Sequence, residues 1–180
     1  GLTLTGTGQS GSTVTVVIEG VTKTATVARD GTWSVTYGSA DLTTGTYQTT
    51  AQVTSTDPAG NVVTTSHTFD VDTEINLTVN TAGVEGDGTI NYAERADGAT
   101  LTGTADAGAT VEITIGSTVL TSTAASNGAW SVDIPASSIP TGETTLNFTA
   151  KAIDQVGNVE TTTGSIDVDT LVTNFGFTSQ

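Results

Sequence analysis

The feature that most constrains this chain is that it repeats itself. Shifted by 97 residues, Thr3-Leu4-Thr5-Gly6-Thr7 falls on Thr100-Leu101-Thr102-Gly103-Thr104, and Gly31-Thr32-Trp33-Ser34-Val35 falls on Gly128-Ala129-Trp130-Ser131-Val132. The register holds without a gap to Asp57-Pro58-Ala59-Gly60-Asn61-Val62 on Asp154-Gln155-Val156-Gly157-Asn158-Val159, and to Asp70-Val71-Asp72-Thr73 on Asp167-Val168-Asp169-Thr170. About 29 of 73 aligned positions are identical, far above chance, so the chain holds two copies of one structural unit. A match without insertions implies equal loop lengths, hence the same fold twice.

Composition decides what that fold is built from. Threonine makes up nearly a quarter of the chain, with Val, Ile, Ser and Gly filling in, while Leu, Lys and Arg are scarce; this favours strands over helices. The apolar residues also alternate with polar ones, a pattern disordered chains have no reason to keep. In Thr110-Val111-Glu112-Ile113-Thr114-Ile115 the aliphatic residues share one face and the polar residues the other, as in a half-buried strand. Turn signals and alternation give strands near 75–79, 100–105, 110–115, 118–124, 129–134, 145–153 and 159–168. That is an all-β reading, tandem antiparallel β-sandwiches of the immunoglobulin type with about seven strands per complete domain. Trp130, Val132 and Ile134 are expected to face Leu146, Phe148, Ala150 and Ala152 across the core, with Trp33, Val35 and Tyr37 facing Tyr47, Ala51 and Val53 in the first copy.

Nothing in the first copy matches Glu74–Asp97. The expected division is therefore 1–72, a repeat without its first strand and loop; 73–170, a complete repeat; and 171–180, the opening of a further repeat or a tail. The chain reads as a piece cut from within a longer tandem array, monomeric as a fragment, whose partners are neighbouring repeats of the same chain.

Charge narrows the function classes. With 19 acidic against 4 basic side chains, the formal net charge is −15, which argues against nucleic acid or anionic lipid, since both need clustered Lys and Arg. There is no cysteine and a single histidine, His67, whose counterpart in the second copy is Gly164. Disulfide scaffolds, thiolate chemistry and histidine metal clusters are thereby excluded. No apolar run approaches the roughly 18–20 residues of a membrane span, so no direct membrane insertion is expected.

The acidic residues concentrate at expected turns and strand ends. Alternating strand directions place the loops around Asp106, Asn127 and Asp154–Asn158 at one pole of the second copy, next to Asp70, Asp72 and Glu74. The loop 84–97 falls at the other pole, beside Asp167 and Asp169. Clustered like charges are costly unless neutralised, and hard oxygen ligands without His or Cys select Ca2+. The segment Gly83-Val84-Glu85-Gly86-Asp87-Gly88-Thr89-Ile90-Asn91-Tyr92-Ala93-Glu94 matches the latter half of an EF-hand loop, with Asp87 at the fifth place, Gly88 at the sixth and Glu94 at the twelfth. Its first half does not match, and flanking helices are not apparent. A calcium-type site at Asp87 and Glu94 stands beside a plain Asp-Gly turn in a solvated loop. The Asp70/Asp72 and Asp167/Asp169 pairs each share a strand face, and they read either as metal ligands or as solubilising charge at a strand end. Asp57 and Asp154, each followed by Gly-Asn, read equally as turn residues.

Leu-Thr-Gly-Thr, Gly-x-Trp-Ser-Val, Asp-x-x-Gly-Asn-Val and a terminal Val-Asp-Thr, preceded by Asp-Gly-x-Ile-Asn-x-x-Glu, recur in this order over nearly the whole chain. In this the chain resembles the bacterial immunoglobulin-like repeats of giant biofilm and RTX-type adhesins. The resemblance implies tens of such units strung between a cell-surface anchor and a distal ligand-binding region. It further implies export by a type I system to the bacterial cell surface, with Ca2+ stiffening the junctions. Its implied ligands are Asp87 and Glu94 with Asp167 and Asp169 at one pole, and Asp70 and Asp72 with Asp106 and Asp154 at the other. The expected role is a non-enzymatic extender in cell adhesion or biofilm formation. The alternatives are a carbohydrate- or protein-binding module, for which Tyr92 is the main exposed aromatic, or a non-catalytic appendage of a secreted enzyme.

Overall fold

The computed structural model describes residues 1–171 and divides into two units, Gly1–Glu74 and Ile75–Gln180. The further strand expected over 171–180 lies outside the described residues, apart from Leu171.

In unit 1 the strands are β1 (Leu2–Thr7), β2 (Thr13–Ile18), β3 (Val21–Thr26), β4 (Thr32–Tyr37), β5 (Thr46–Thr56) and β6 (Val62–Asp72). Their alternation puts Val14, Val16, Ile18, Val35, Tyr37 and Ala51 in a buried core, with threonines on the opposite faces. Two sheets result, β1-β4 and β3-β2-β5-β6. The hairpin β2–β3 turns on Glu19 and Gly20, both at positive φ (51° and 82°), the left-handed pair that matches strand twist in a two-residue connection.

Unit 2 repeats this plan and adds to it. After β7 (Leu77–Asn80), β8 (Thr89–Asn91) and a short helix α1 (Tyr92–Asp97) come β9 (Ala99–Ala105), β10 (Thr110–Ile115), β11 (Thr118–Thr123), β12 (Ala129–Ile134), β13 (Glu143–Ile153) and β14 (Val159–Asp169). Strands β9 to β14 correspond to β1 to β6. The extra strands lengthen both sheets, to β12-β9-β7 and β11-β10-β13-β14-β8. Strand β7 joins β9 antiparallel, with Leu77 opposite Ala105 and Val79 opposite Gly103. Strand β8 joins β14 in parallel, with Val168 opposite Ile90.

The immunoglobulin-like sandwich read from the sequence is the fold observed, and Trp130, Val132, Ile134, Leu146, Phe148, Ala150 and Ala152 all lie in one buried cluster. Two elements differ from the expectation. The long first loop contributes β8, and it carries the helix α1 where none was apparent. The cause of the helix is a capping box at its start: the Asn91 side-chain oxygen accepts from the Ala93 and Glu94 N–H groups (2.9 and 3.1 Å), and Glu94 accepts from the Asn91 N–H (2.9 Å). Gly98, at φ 87°, ends it.

Candidate functional site

The acidic end of unit 2 is assembled by register. Ile90 and Val168 are both buried, so their neighbours on β8 and β14 point outward. Asp169 then lies between Asn91 of β8 and Glu143 of β13, and Asp167 lies between Thr89 and Thr145. The loop of Asp87 and Glu94 and the pair Asp167 and Asp169 thus meet at one end of this unit. Glu143 was absent from the expected set. The turn Asp154–Asn158 would have found it, because an eleven-residue hairpin counted back from that turn sets Glu143 opposite Asp169.

Seven of the eight expected ligands, all but Asp167, have a local partner shown in the structure. Asp87 accepts from the Thr89 N–H (2.9 Å), an Asx turn leading into β8. Glu94 closes the capping box, and Asp169 accepts from the Leu171 N–H (3.2 Å). Asp106 accepts from the Asn76 amide (3.1 Å) within unit 2. In unit 1, Asp70 accepts from Gln48 (3.2 Å) and Asp72 from the Thr46 hydroxyl (3.0 Å) across the β5–β6 hairpin.

Asp154 is engaged most completely. One of its oxygens accepts from the N–H groups of Val156, Gly157 and Asn158 (2.9, 2.7 and 2.8 Å), and the other accepts from the Asn158 amide (2.7 Å). Asp57 ties the matching turn to Ala59 and Asn61. Burial opposes ionisation of Asp154, but these donors outweigh it and hold its carboxyl below the ordinary range. The Asn61 side chain and backbone do the same for Asp57.

These oxygens are of the hard, anionic kind that Ca2+ takes. Among the described residues, however, no group of three or more His, Cys, Asp or Glu side chains converges on one point. Ca2+ accepts six to eight oxygens, so the row of Glu143, Asp169 and Asn91 offers part of a shell. The Asn91 oxygen is already used in capping α1. The aromatics are placed for packing: Trp130 is 3% exposed, whereas Tyr92 stands 77% exposed on α1.

Two antiparallel sandwiches in tandem, repeated at one register, define a protein of the immunoglobulin-like class. Residues 1–73 match the family model described as a bacterial Ig-like domain, and residues 87–169 match that of a bacterial Ig domain. The chain belongs to the bacterial immunoglobulin-like domains. Among solved structures it is similar to a Ca2+-stabilized adhesin that helps an Antarctic bacterium reach out and bind ice, at 36% identity over 94% of this chain and 44% of that one, TM-score 0.51. It is also similar to a 1.5-MDa bacterial ice-binding adhesin studied for host cell surface retention, at 33% identity over 94% of this chain and 58% of that one, TM-score 0.52. The chain therefore spans about half the length of these two structures. No curated protein matches it, and no helix among the described residues is long and apolar enough to cross a membrane.

Proposed function

We propose that the chain is a pair of extender modules from a large bacterial surface adhesin, holding a distal binding region away from the cell and carrying out no reaction of its own. The observation that carries this reading is the repetition itself. The 97-residue period is kept down to strand register, with eleven-residue hairpins β5–β6 and β13–β14 closed by the same Asp-x-x-Gly-Asn turn. A chain that must reach gains length by adding such units, since each one supplies its own core. Export to the cell surface by a type I system, and a part in adhesion or biofilm formation, follow from the likeness to adhesin repeats.

Calcium belongs to the same proposal. Asp87, Glu94, Asp167 and Asp169 at one end of a repeat, and Asp70, Asp72, Asp106 and Asp154 towards the junction, are the residues assigned to it. The first set supplies part of a shell within unit 2, with waters and backbone carbonyls completing it. Neutralising carboxylates where repeats meet would stiffen the array in calcium-rich extracellular fluid and leave it loose in a calcium-poor cytoplasm.

The test is small-angle scattering and a thermal melt of the chain with ~5 mM Ca2+, with chelator, and with Mg2+ as a charge-screening control. The expected result is a longer maximum dimension and a raised transition with Ca2+ alone. Identical dimensions and identical melts in all three buffers would remove calcium from the account and leave a plain spacer.

A further inference from the structure

Strands β3 and β11 occupy the same place in their two units and are finished differently. Each ends a sheet, with β2 or β10 on one side and no strand on the other among the described residues. Strands β7 and β8 sit at the opposite ends of the unit 2 sheets, so they leave the β11 edge open. In β3, Lys23 shares the inward face with Val21 and Ala25, which pack against the core. Its ammonium lies 2.9 Å from Asp41 and 5.7 Å from the centre of the Tyr37 ring. An inward-pointing lysine on an edge strand blocks a further strand, because that strand would bury the charge. In β11 the same position is Leu120, and Asp41 is replaced by Ser138.

Charge is missing over a wider strip. The twenty residues Ile113–Val132 hold no Asp, Glu, Lys or Arg, in a chain of net charge −15. They include all of β11 and the turns on either side of it. Glu112, which lies next to the strip on β10 opposite Thr121, is paired with Lys151 at 3.5 Å. Val119 is exposed on the outer face of the edge strand. The main chain is open as well. The Ala124 N–H donates to the Ala109 carbonyl (2.9 Å). Counted by twos from that pair, Ser122, Leu120 and Thr118 bond inward to β10, and the N–H and C=O groups of Val119, Thr121 and Thr123 point to the open edge.

We propose that the β11 edge pairs with the β11 edge of a second copy of this chain. The two strands run antiparallel about a two-fold axis, with Thr121 facing its own counterpart and Val119 facing Thr123. Each of these three residues exchanges main-chain hydrogen bonds with the one it faces, joining two five-stranded sheets into one. Cross-strand threonine pairs already recur within the chain, as hydroxyl contacts of Thr50 with Thr68 (3.0 Å), Thr54 with Thr64 (3.1 Å) and Thr78 with Thr104 (2.7 Å); the Thr121 pair adds one more of the same kind. Charge selects a second copy as the occupant. Two such acidic chains repel over most of their surface, and along this strip they close without burying a carboxylate. The contact is small and therefore transient, with a Kd on the order of 0.1–1 mM. It requires neither calcium nor the extender role.

The experiment uses the whole chain in chelator, from ~10 μM to ~1 mM, in low salt and in ~0.5 M NaCl, where the net charge is screened. Sedimentation equilibrium should show monomers and dimers, with dimerisation about threefold or more tighter in the higher salt. Amide exchange read residue by residue by NMR should slow with concentration, about twofold or more, at Val119, Thr121 and Thr123 and stay unchanged at Thr22, Thr24 and Thr26. Thr121→Pro removes an outward N–H and leaves the β10 ladder its bonds, so it should abolish the dimers. Thr24→Pro, the matching change on β3, should not. Leu120→Lys combined with Ser138→Asp copies the unit 1 pair and should also abolish them, which keeps the test decisive if proline disturbs the strand. A chain that stays monomeric at ~1 mM in both salts would leave β11 to a foreign strand and overturn the proposal. Dimers that survive both β11 variants, or that protect a different edge, would overturn it as well.

Discussion

Leu101 and Trp130 are buried in unit 2, whereas their counterparts Leu4 and Trp33 in unit 1 are only partly covered. The two units share loop lengths, hairpin registers and nearly all of their turns, so the difference isolates what one segment contributes. That segment adds one strand to each sheet and plugs the core with Val84 and Ile90, which are 1% and 0% exposed. In unit 2 the core is closed by β7, β8 and the loop between them, which have no counterpart in unit 1 among the described residues. Unit 1 also invests differently at its surface. Glu19 accepts from the Tyr47 hydroxyl (2.7 Å) and the Thr43 N–H (2.8 Å), and Lys23 lies 2.9 Å from Asp41. The equivalent positions in unit 2 are Gly116, Leu120 and Ser138.

The largest expected effect comes from the tryptophans, one in each unit. Trp130→Ala should cost unit 2 about 3–5 kcal/mol, the usual range for a large buried aromatic. Trp33→Ala should cost unit 1 clearly less, because part of that ring is already in water. Urea unfolding of each variant, followed by segment-resolved exchange in the substituted unit, gives both values, with fluorescence of the remaining tryptophan reporting the other unit as reference. Equal losses would break the comparison.

The glycines under those rings give a smaller contrast. Gly103→Ala should destabilise unit 2 by about 1–3 kcal/mol as an overpacking change, with β7 displaced because backbone cannot yield. At Gly6 the three atoms nearest an added methyl all belong to the Trp33 ring, a partly exposed side chain that can shift outward, so Gly6→Ala should cost less. Urea midpoints compare the two, and exchange in β7 checks the displacement.

Acid should separate the units by a finer margin. Four carboxylates of unit 1 are held below their usual range: Glu19 by Tyr47 and Thr43, Asp30 by Thr32, Asp41 by Lys23 and the Gly38 N–H, and Asp57 by Asn61. Unit 2 contributes Asp154. A depressed pKa means that the unfolded chain binds protons first as the pH falls. The stability these groups lend is therefore complete above about pH 4–5 and is lost as the pH drops through the lowered folded values. Thermal melts between neutral pH and about pH 3 should show the unit 1 transition falling further than that of unit 2. Asp57→Asn should flatten the acid limb of unit 1.

Much of this was legible before any coordinates. The repeat and the period-two alternation gave the sandwich, its strands from β9 to β14 within two residues at each end, and the inward face of Trp130. Strand β8 was missed because Thr89-Ile90-Asn91 is too short to show alternation and pairs in parallel with β14, a partner far away in sequence. The helix α1 was missed because Asn91-x-x-Glu94 carries two meanings. Read as the end of an EF-hand loop, it points Glu94 at an ion; in the structure the same spacing is a capping box. At the acidic poles, sequence placed Asp167 and Asp169 beside the Asp87 loop, and register agrees. It could not foresee how many of these carboxylates are engaged with nearby backbone N–H groups, since Asx turns depend on local geometry that residue type alone does not determine.

The most direct test of the central contrast is native-state hydrogen exchange on the intact chain, comparing segment Leu2–Thr7 with segment Ala99–Ala105. If β7 and β8 complete the repeat, β9 should exchange at least about a hundredfold more slowly than β1, reflecting a core that opens only with the whole unit. Equal protection of the two segments would contradict the account, since unit 1 would then be as complete without those strands as unit 2 is with them.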